Sequence, residues 1–426
     1  ETLQKLFPDL FTNEGKLNID ELKKVVDPKS VSETERYEFR WFGKSQAKRN
    51  AFTPSNATLV YDETRSLNPS ESENLIIEGE NLEVLKLLSS SYREKVKCIY
   101  IDPPYNTGKD FVYSDNFTQD RKAYWEESEV IEDGLKIDSN AETDGRYHSN
   151  WLNMMFSRLL IARQLLREDG IIFISIDDNE MHHLRKLGDE VFGEENLVGV
   201  FCWKNKYGAG AKTKGFIEVH EYILCYSKEK ITNIEAKLTE EQLKEFDKKR
   251  DEKYPIRGGY ITQPLMTKSM DDRDNLKYSI EYDGDVIKPR KQWVWEETRL
   301  LQAIKNDEVI FKKKKNGEYS VRNKVYLKDE NGNLRKGKPI TVLNGPFNQE
   351  GTEEVENLIG EGIFSFPKPK ALLEYLLSFT INEKESENEI FLDFYAGSGT
   401  TGHAISELNR DGKNRKFILI QIPEAT

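Results

Sequence analysis

Two short stretches hold residue types that chemistry requires in close company. The first is Ile99-Tyr100-Ile101-Asp102-Pro103-Pro104-Tyr105-Asn106-Thr107-Gly108. The apolar run Val96 to Ile101 reads as a buried parallel strand, and it ends at an acid followed by two prolines. Neither proline has an N–H to donate, so the ladder stops there. The strand end then presents a carboxylate at Asp102, an exposed carbonyl at Pro103 and a ring at Tyr105, on the edge where open α/β sheets take ligands. Two acceptors beside an aromatic face suit an amino group attached to an aromatic ring, such as the exocyclic amine of adenine. Each acceptor takes one N–H, the nitrogen becomes pyramidal, and its lone pair is freed to attack. Stacking of such a base on Tyr105 is worth about 1–3 kcal/mol. Without that chemistry, the same string is a strand ended by a Pro-Pro turn with a surface Asp.

The second stretch is Phe391-Leu392-Asp393-Phe394-Tyr395-Ala396-Gly397-Ser398-Gly399-Thr400-Thr401. Gly397 to Gly402 fits GxGxxG after a strand, and Glu424 lies about where an acid would grip a ribose. Glycines let backbone approach a nucleotide, and helix N-terminal N–H groups receive an anion. A nicotinamide dinucleotide and a nucleoside-based sulfonium both fit such a loop. A P-loop does not, because no Lys precedes the Ser/Thr. A dehydrogenase has no use for Asp-Pro-Pro-Tyr.

Taken together, the two stretches carry a resemblance. Asp102–Tyr105 resembles motif IV of the amino-methyltransferases that modify DNA. Asp393–Thr401 resembles their motif I, the S-adenosylmethionine (SAM) loop, with Tyr395 standing for the usual Phe. Motif I follows motif IV, the permuted order of the β class. The wider wording, with IDPPYNTG, SIDDNE, NQEGT and FPKPKALLEYLL, is similar to modification (Mod) subunits of type III restriction-modification systems, from about Asn74 to the C-terminus.

The resemblance implies an α/β fold: a Rossmann-like SAM-dependent methyltransferase sheet, mostly parallel with one antiparallel hairpin, plus an inserted target-recognition domain. It implies methyl transfer to adenine N6 of a flipped-out base by in-line displacement, with no covalent enzyme intermediate. Cytosine N4 is the alternative, disfavoured by family usage of Asp in the first position. A decayed DNA-reading subunit and a methyltransferase of RNA or protein are further alternatives, against which stand the complete motifs and a basic insert. The implied catalytic residues are Asp102, Pro103, Pro104 and Tyr105. The implied SAM contacts are Glu80 and Asn81 (motif III), Asp102, Lys368 (motif X), Asp393, Tyr395, Ala396, Gly397, Ser398, Gly399, Thr400, Thr401 and Glu424. Glu80 stands where the family more often has Asp, and it equally fits the acidic first turn of a helix. The implied partners are double-stranded DNA, a second copy of the chain and a helicase-nuclease subunit. Family members extend past the strand ending at Glu424, so the chain reads as a trimmed piece or a short relative.

The elements that must position these residues follow from composition and pattern. The chain has 426 residues, 37% hydrophobic and 32% charged, and a net charge of −12, enough for two or three domains. No apolar run nears the roughly 20 residues of a membrane span, and no signal peptide shows, so a cytoplasmic protein is expected. Cys98, Cys202 and Cys225 lie in separate apolar runs without metal spacing, as buried free thiols do. His182 and His183 are adjacent beside Asp177 and Asp178; adjacent residues do not share a helix face, so no metal site is expected.

Along the chain, residues 1–58 form a polar accessory segment with a short amphipathic helix near Leu3–Leu10. Residues 59–228 form the first portion of the methyltransferase core, with strands at 75–77, 96–101, 171–176, 198–204 and 219–226. Its helices are expected at 81–88 and 150–167, the second ended by Gly170. Residues 110–145 read as a loop that orders over the site. Residues 229–347 form the recognition unit, opened by a charged helix over 230–253, and 348–426 complete the methyltransferase core. Between Asp285 and Gly345 stand 15 Lys/Arg against 8 Asp/Glu, a net +7, with Trp293, Trp295, Phe311, Tyr319 and Tyr326 interleaved. Such a basic, aromatic segment in an acidic protein fits phosphate contact and base contact. The expected DNA-binding residues are Lys204, Lys206, Arg290, Lys291, Lys312, Lys313, Lys314 and Arg322, with Lys212 and Lys214 flanking the same hairpin; an accessory domain with solvated lysines is the alternative.

Overall fold

The computed structural model describes residues 38–107, 147–208, 215–268, 271–381 and 388–422, except for single positions at 70, 232, 237 and 239, together with Leu17 and Leu22. The expected loop at 110–145, the N-terminal helix, Gly108, Lys212, Lys214 and Glu424 lie outside the described residues.

The main sheet is built from apolar runs. Its first five strands are β1 (Leu75–Glu78), β2 (Val96–Ile101), β3 (Leu166–Ile176), β4 (Leu197–Lys204) and β5 (His220–Ser227). Short strands follow: β6 (Tyr260–Pro264), β7 (Met266–Thr267), β8 (Ile280–Tyr282), β9 (Asp285–Ile287), β10 (Gln292–Trp293), β11 (Val309–Lys313) and β12 (Tyr319–Tyr326). The chain then returns to the main sheet with β13 (Val342–Asn344), β14 (Ile390–Asp393) and β15 (Lys416–Gln421). The strand order is β1-β15-β14-β2-β3-β5-β4-β13. Every neighbouring pair is parallel except the two that involve β5. The hairpin of β4 and β5 is thus the antiparallel feature expected from the sequence.

All six residues of β2 are buried, because helices cover both faces. Ile99 and Ile101 join one core, with Leu82, Trp151, Met155 and Leu184. Cys98 and Tyr100 point the other way, into a core with Leu372, Leu376, Ala404 and Ile405. Two-sided burial is why these strands read as unbroken apolar runs instead of alternating ones. Burial also pushes the Cys98 and Cys225 thiols well above their ordinary pKa. A third core, around Leu265, Trp293, Leu300 and Val321, belongs to the inserted segment.

Two local expectations differ from the structure. The helix Tyr147–Leu165 stops five residues before Gly170, and β3 begins at once. Gly170 instead sits inside β3, where a Cβ would meet the Arg167 carbonyl at 2.9 Å. The charged helix is confined to Glu240–Asp247, while Ala236 forms a β-bridge with Gly337. The segment at 38–52 holds Phe39 and Trp41 against the main core and then a helix, Lys44–Phe52, that buries Ala47 and Ala51. The sheet's edge strand β13 lies within the 229–347 segment. Among the described residues no helix is long and apolar enough to cross a membrane.

The topology fixes where a ligand can bind. From β2 the sheet grows outward through β3; from β14 it grows the other way through β15 and β1. The order therefore reverses between β2 and β14, and open α/β sheets bind ligands outside the carboxyl ends at such a switch point. Asp102 follows β2 and Asp393 ends β14, and Ile99 pairs with Leu392.

Candidate active site

At the end of β2 the Pro-Pro turn is held from behind. Trp151 Nε1 donates to the Pro104 carbonyl at 2.7 Å, and Pro103 is buried. Asn106 adopts φ 61°, a left-handed conformation that Asn tolerates, and its amide donates to Glu180 Oε1 at 2.5 Å. Glu180 is fully buried and also accepts from His148 Nδ1 and His183 Nδ1, each at 2.7 Å. Among the described residues these three are the set that brings His and carboxylate atoms within 4.8 Å of one another. The Glu180 oxygens are engaged by ring N–H and amide donors, which is how a buried carboxylate is made tolerable.

Asp102 itself carries two close partners. Lys368 Nζ donates to its Oδ2 at 2.8 Å and the Tyr105 hydroxyl to its Oδ1 at 2.9 Å. Lys368 also donates to the Tyr105 oxygen at 2.9 Å and lies 5.0 Å from the centre of that ring. Glu221 completes the group: its Oε2 is 3.1 Å from the Tyr105 hydroxyl and 3.5 Å from Lys368, and its Oε1 accepts from Asn205 at 2.7 Å. Burial works against the Lys368 charge, but Asp102 and Glu221 outweigh it and its pKa ends above the ordinary value. Burial, then Asp102 and Glu221, pushes the Tyr105 phenol well up, so it stays protonated. Lys368, read from sequence as a SAM contact, thus sits against the motif IV carboxylate.

Beside it stands the glycine turn between β14 and the helix Thr400–Leu408. Gly397 and Gly399 take φ of 51° and 81°, which L side chains rarely adopt. A Cβ at Gly397 would also meet the Phe364 ring at 2.9 Å. No side chain caps the helix start, so its first N–H groups remain for a ligand. Ser398 and Thr400 hydroxyls lie 3.0 Å apart on the turn.

Other expected contacts face inward. Asp393 is 3% exposed and accepts from the Tyr395 N–H at 3.0 Å and the Thr401 hydroxyl at 2.5 Å. Burial pushes its pKa up to about 7, against the pull of those two bonds. Tyr395 and Ala396 are buried in the core below the turn. Asn81 is buried too: its amide donates to the Phe394 carbonyl at 2.9 Å and its oxygen accepts from Arg158 at 2.6 Å. Glu80 caps the helix Asn81–Tyr92 through Leu82 N and Glu83 N and pairs with Arg158 at 2.6 Å. These side chains shape the turn from behind and leave its backbone to face the crevice.

The expected DNA contacts divide. Lys204 ends β4 with its ammonium 6.0 Å from the Phe347 ring, and Lys206 is exposed next to it. Lys312 and Lys314 are exposed. Arg290 pairs with Glu318, Lys313 with Asp285 at 2.6 Å, and Arg322 donates to the Thr262 carbonyl and hydroxyl; Lys291 is half-buried.

Sequence reasoning missed Glu221, Arg158, Glu180 and Gln421, whose Oε1 accepts the Gly397 N–H at 2.9 Å. One signal existed for Glu221, a lone acid near the start of an apolar strand. Because β5 runs against its neighbours, its start lies at their ends.

A family described as DNA methylase matches residues 96–425. The type III restriction-modification enzyme StyLTI Mod subunit of Salmonella typhimurium is 33% identical over 99% of this chain and 66% of its own length. The EcoP15I Mod subunit of Escherichia coli is 34% identical over 100% and 70%, so the chain spans about two thirds of these relatives. The type II methyltransferase M.KpnI of Klebsiella pneumoniae is 31% identical over 86% and 85%. Among solved structures, the cytosine-N4-specific PvuII DNA methyltransferase is 13% identical, with a TM-score of 0.42 over 83% of each chain. The chain belongs to the N6/N4 DNA methylase family, among the modification subunits of type III restriction-modification enzymes.

Proposed function

We propose that this chain transfers the methyl group of SAM to N6 of a flipped-out adenine in double-stranded DNA. It does so as the modification subunit of a cytoplasmic restriction-modification system, paired with a copy of itself and with a helicase-nuclease subunit. One observation carries this: Asp102 and the glycine turn lie at adjacent strand ends across the switch point of one sheet. The residues fit SAM. Uncapped helix N–H groups and the Ser398 and Thr400 hydroxyls suit its carboxylate, and the glycine backbone admits its adenosine. When bound, SAM supplies a methyl group made electrophilic by a sulfonium.

The chain's own role is positioning and electrostatics. Tyr105 offers its face to the base. Asp102 and the Pro103 carbonyl accept the two amine protons, and the Trp151 and Asn106 anchors fix their separation. As nitrogen bonds carbon, positive charge develops on the amine. Two carboxylates against one ammonium leave the site at −1, which favours that charge as the carbon's bond to sulfur breaks; Asp102, already accepting an amine N–H, is placed to take the surplus proton. Extruding the base costs a few kcal/mol, met by DNA contacts. Half-buried Lys204 and exposed Lys206, Lys312 and Lys314 are proposed to meet phosphates.

Asp102→Ala tests the assignment. With unmodified plasmid DNA and tritiated SAM, label in N6-methyladenine should fall by about 10³-fold or more, the scale of losing a transition-state partner. SAM affinity by titration should stay within about threefold, a small fraction of its binding energy. Label in N4-methylcytosine, or full activity of the variant, overturns the proposal.

A further inference from the structure

Glu221 stands 119 positions after Asp102 in sequence yet shares its partners. Its strand pairs Glu221 with Trp203 on β4 and Ile176 of β3 with the neighbouring Tyr222. That register sets the second residue of β5 over the carboxyl ends of β2 and β3. Its side chain is 14% exposed and that of Lys368 is 10% exposed, so the pair is mostly shielded from water.

The Lys368 ammonium has three protons and three acceptors nearby: Asp102 Oδ2 at 2.8 Å, the Tyr105 oxygen at 2.9 Å and Glu221 Oε2 at 3.5 Å. It engages the same carboxylate oxygens and the same ring that an incoming aromatic amine requires. A carboxylate oxygen has more than one lone pair, but the ammonium stands within hydrogen-bond reach of both Asp102 Oδ2 and the Tyr105 oxygen, the place an amine stacked on that ring would take. A buried ammonium that leaves one carboxylate without reaching another would carry a large desolvation cost. The acceptor within reach is Glu221, itself fixed on its far side by Asn205 at 2.7 Å.

We propose that Glu221 is a positioning residue for methyl transfer, the second seat to which Lys368 moves as the target amine takes Asp102. The inference rests on the function proposed above. The exchange breaks one ion pair and tightens another, moves no proton, and keeps the site at −1 while positive charge develops on the amine. Removing the Glu221 charge has two consequences: Lys368 stays on Asp102, and the site becomes neutral. Removing Lys368 as well restores the −1 and frees Asp102.

Single-turnover methylation of unmodified plasmid DNA with tritiated SAM tests this. Glu221→Gln should slow transfer by about 10- to 100-fold with SAM affinity within about twofold, since the change touches the charge met in the transition state and not the glycine turn. Glu221→Asp keeps the charge and should stay within about threefold of the unaltered protein, a rescue that packing alone would not give. The double variant Glu221→Gln/Lys368→Met should be faster than Glu221→Gln alone, a coupling of opposite sign to additive damage. A Glu221→Gln rate equal to the unaltered protein, a Glu221→Asp rate as low as Glu221→Gln, or a double variant no faster than Glu221→Gln overturns the inference. If Glu221→Gln does not fold, Glu221→Ala replaces it in each comparison, with the same outcomes expected. Failure of the parent function shows differently, as no label in DNA from the unaltered protein.

Discussion

The carboxyl edge of the main sheet and the inserted basic segment handle charge in opposite ways. At the edge, one ammonium and two carboxylates from three distant regions of the chain converge within 3.5 Å and are mostly buried. In the insert, many cations are close in sequence, yet in space they are dispersed. Lys313 reaches Asp285, Arg290 reaches Glu318, and Lys324 bridges Asp251 and Asp307 at 2.8 Å each. Part of the segment's basic residues are thus held in ion pairs, and others, among them Lys312, Lys314 and Lys315, are exposed. Convergence of charge makes a site, whereas a run of like charge makes at most a surface, and only the fold tells the two apart.

The largest effect expected from that contrast is at Arg158, fully buried beneath the glycine turn. It donates to Glu80 and Asn81, each at 2.6 Å, and to the Met154 carbonyl at 2.8 Å. Arg158→Met removes the cation and leaves the Asn81 oxygen buried without its donor. Breaking a buried ion pair from one side costs about 3–5 kcal/mol, measurable by urea unfolding. The exposed Arg290–Glu318 pair, cut by Arg290→Met, should cost under about 1 kcal/mol. Equal losses would erase the distinction between the two regions.

Asp393 gives a second, pH-dependent separation. Burial is the main cause of its raised pKa of about 7, with Asp102 adding to it and the Tyr395 and Thr401 bonds opposing. An acid whose folded pKa exceeds its unfolded value near 3.8 stabilises the fold below that value. The contribution is lost as pH rises through about 7. At about 1.4 kcal/mol per unit, the loss approaches about 4 kcal/mol. Asp393→Asn keeps an acceptor for Tyr395 N–H and lets the Thr401 hydroxyl accept instead. Its melting temperature should therefore exceed that of the unaltered protein at pH 8 and converge with it at pH 4. A parallel pair of melting curves across that range would contradict the burial argument.

These cases also explain what the sequence made legible. Asp102 and the glycine turn stood out because local backbone constraints, two prolines and two left-handed glycines, must be written at the positions that need them. The strands β2, β3, β14 and β15 stood out because burial on both faces demands continuous apolar runs. Arg158, Glu180 and Glu221 left almost no mark. Their partners lie 78, 74 and 116 residues away, and their roles arise only when strand order and the reversed direction of β5 bring those partners together. Glu80 shows the intermediate case, since a helix cap and a SAM contact can demand the same residue type at the same place.

The smallest effects lie in the insert, and they sharpen the contrast most finely. A cation that neutralises a DNA phosphate contributes nearly one unit to the slope of log affinity against log salt. Lys312→Ala and Lys314→Ala should each reduce that slope by about one and weaken binding to all DNA sequences alike. Arg322 donates at 2.6 Å to the Thr262 carbonyl and at 2.9 Å to its hydroxyl, so its guanidinium is held against the neighbouring strand. Arg322→Ala should then lower stability while leaving the slope unchanged. Filter-binding isotherms on plasmid fragments from low to moderate salt separate the two outcomes. A unit change in slope at Arg322 with none at Lys312 or Lys314 would mean that this sheet turns its paired cations, and not its exposed ones, toward DNA, and that charge in the insert converges after all.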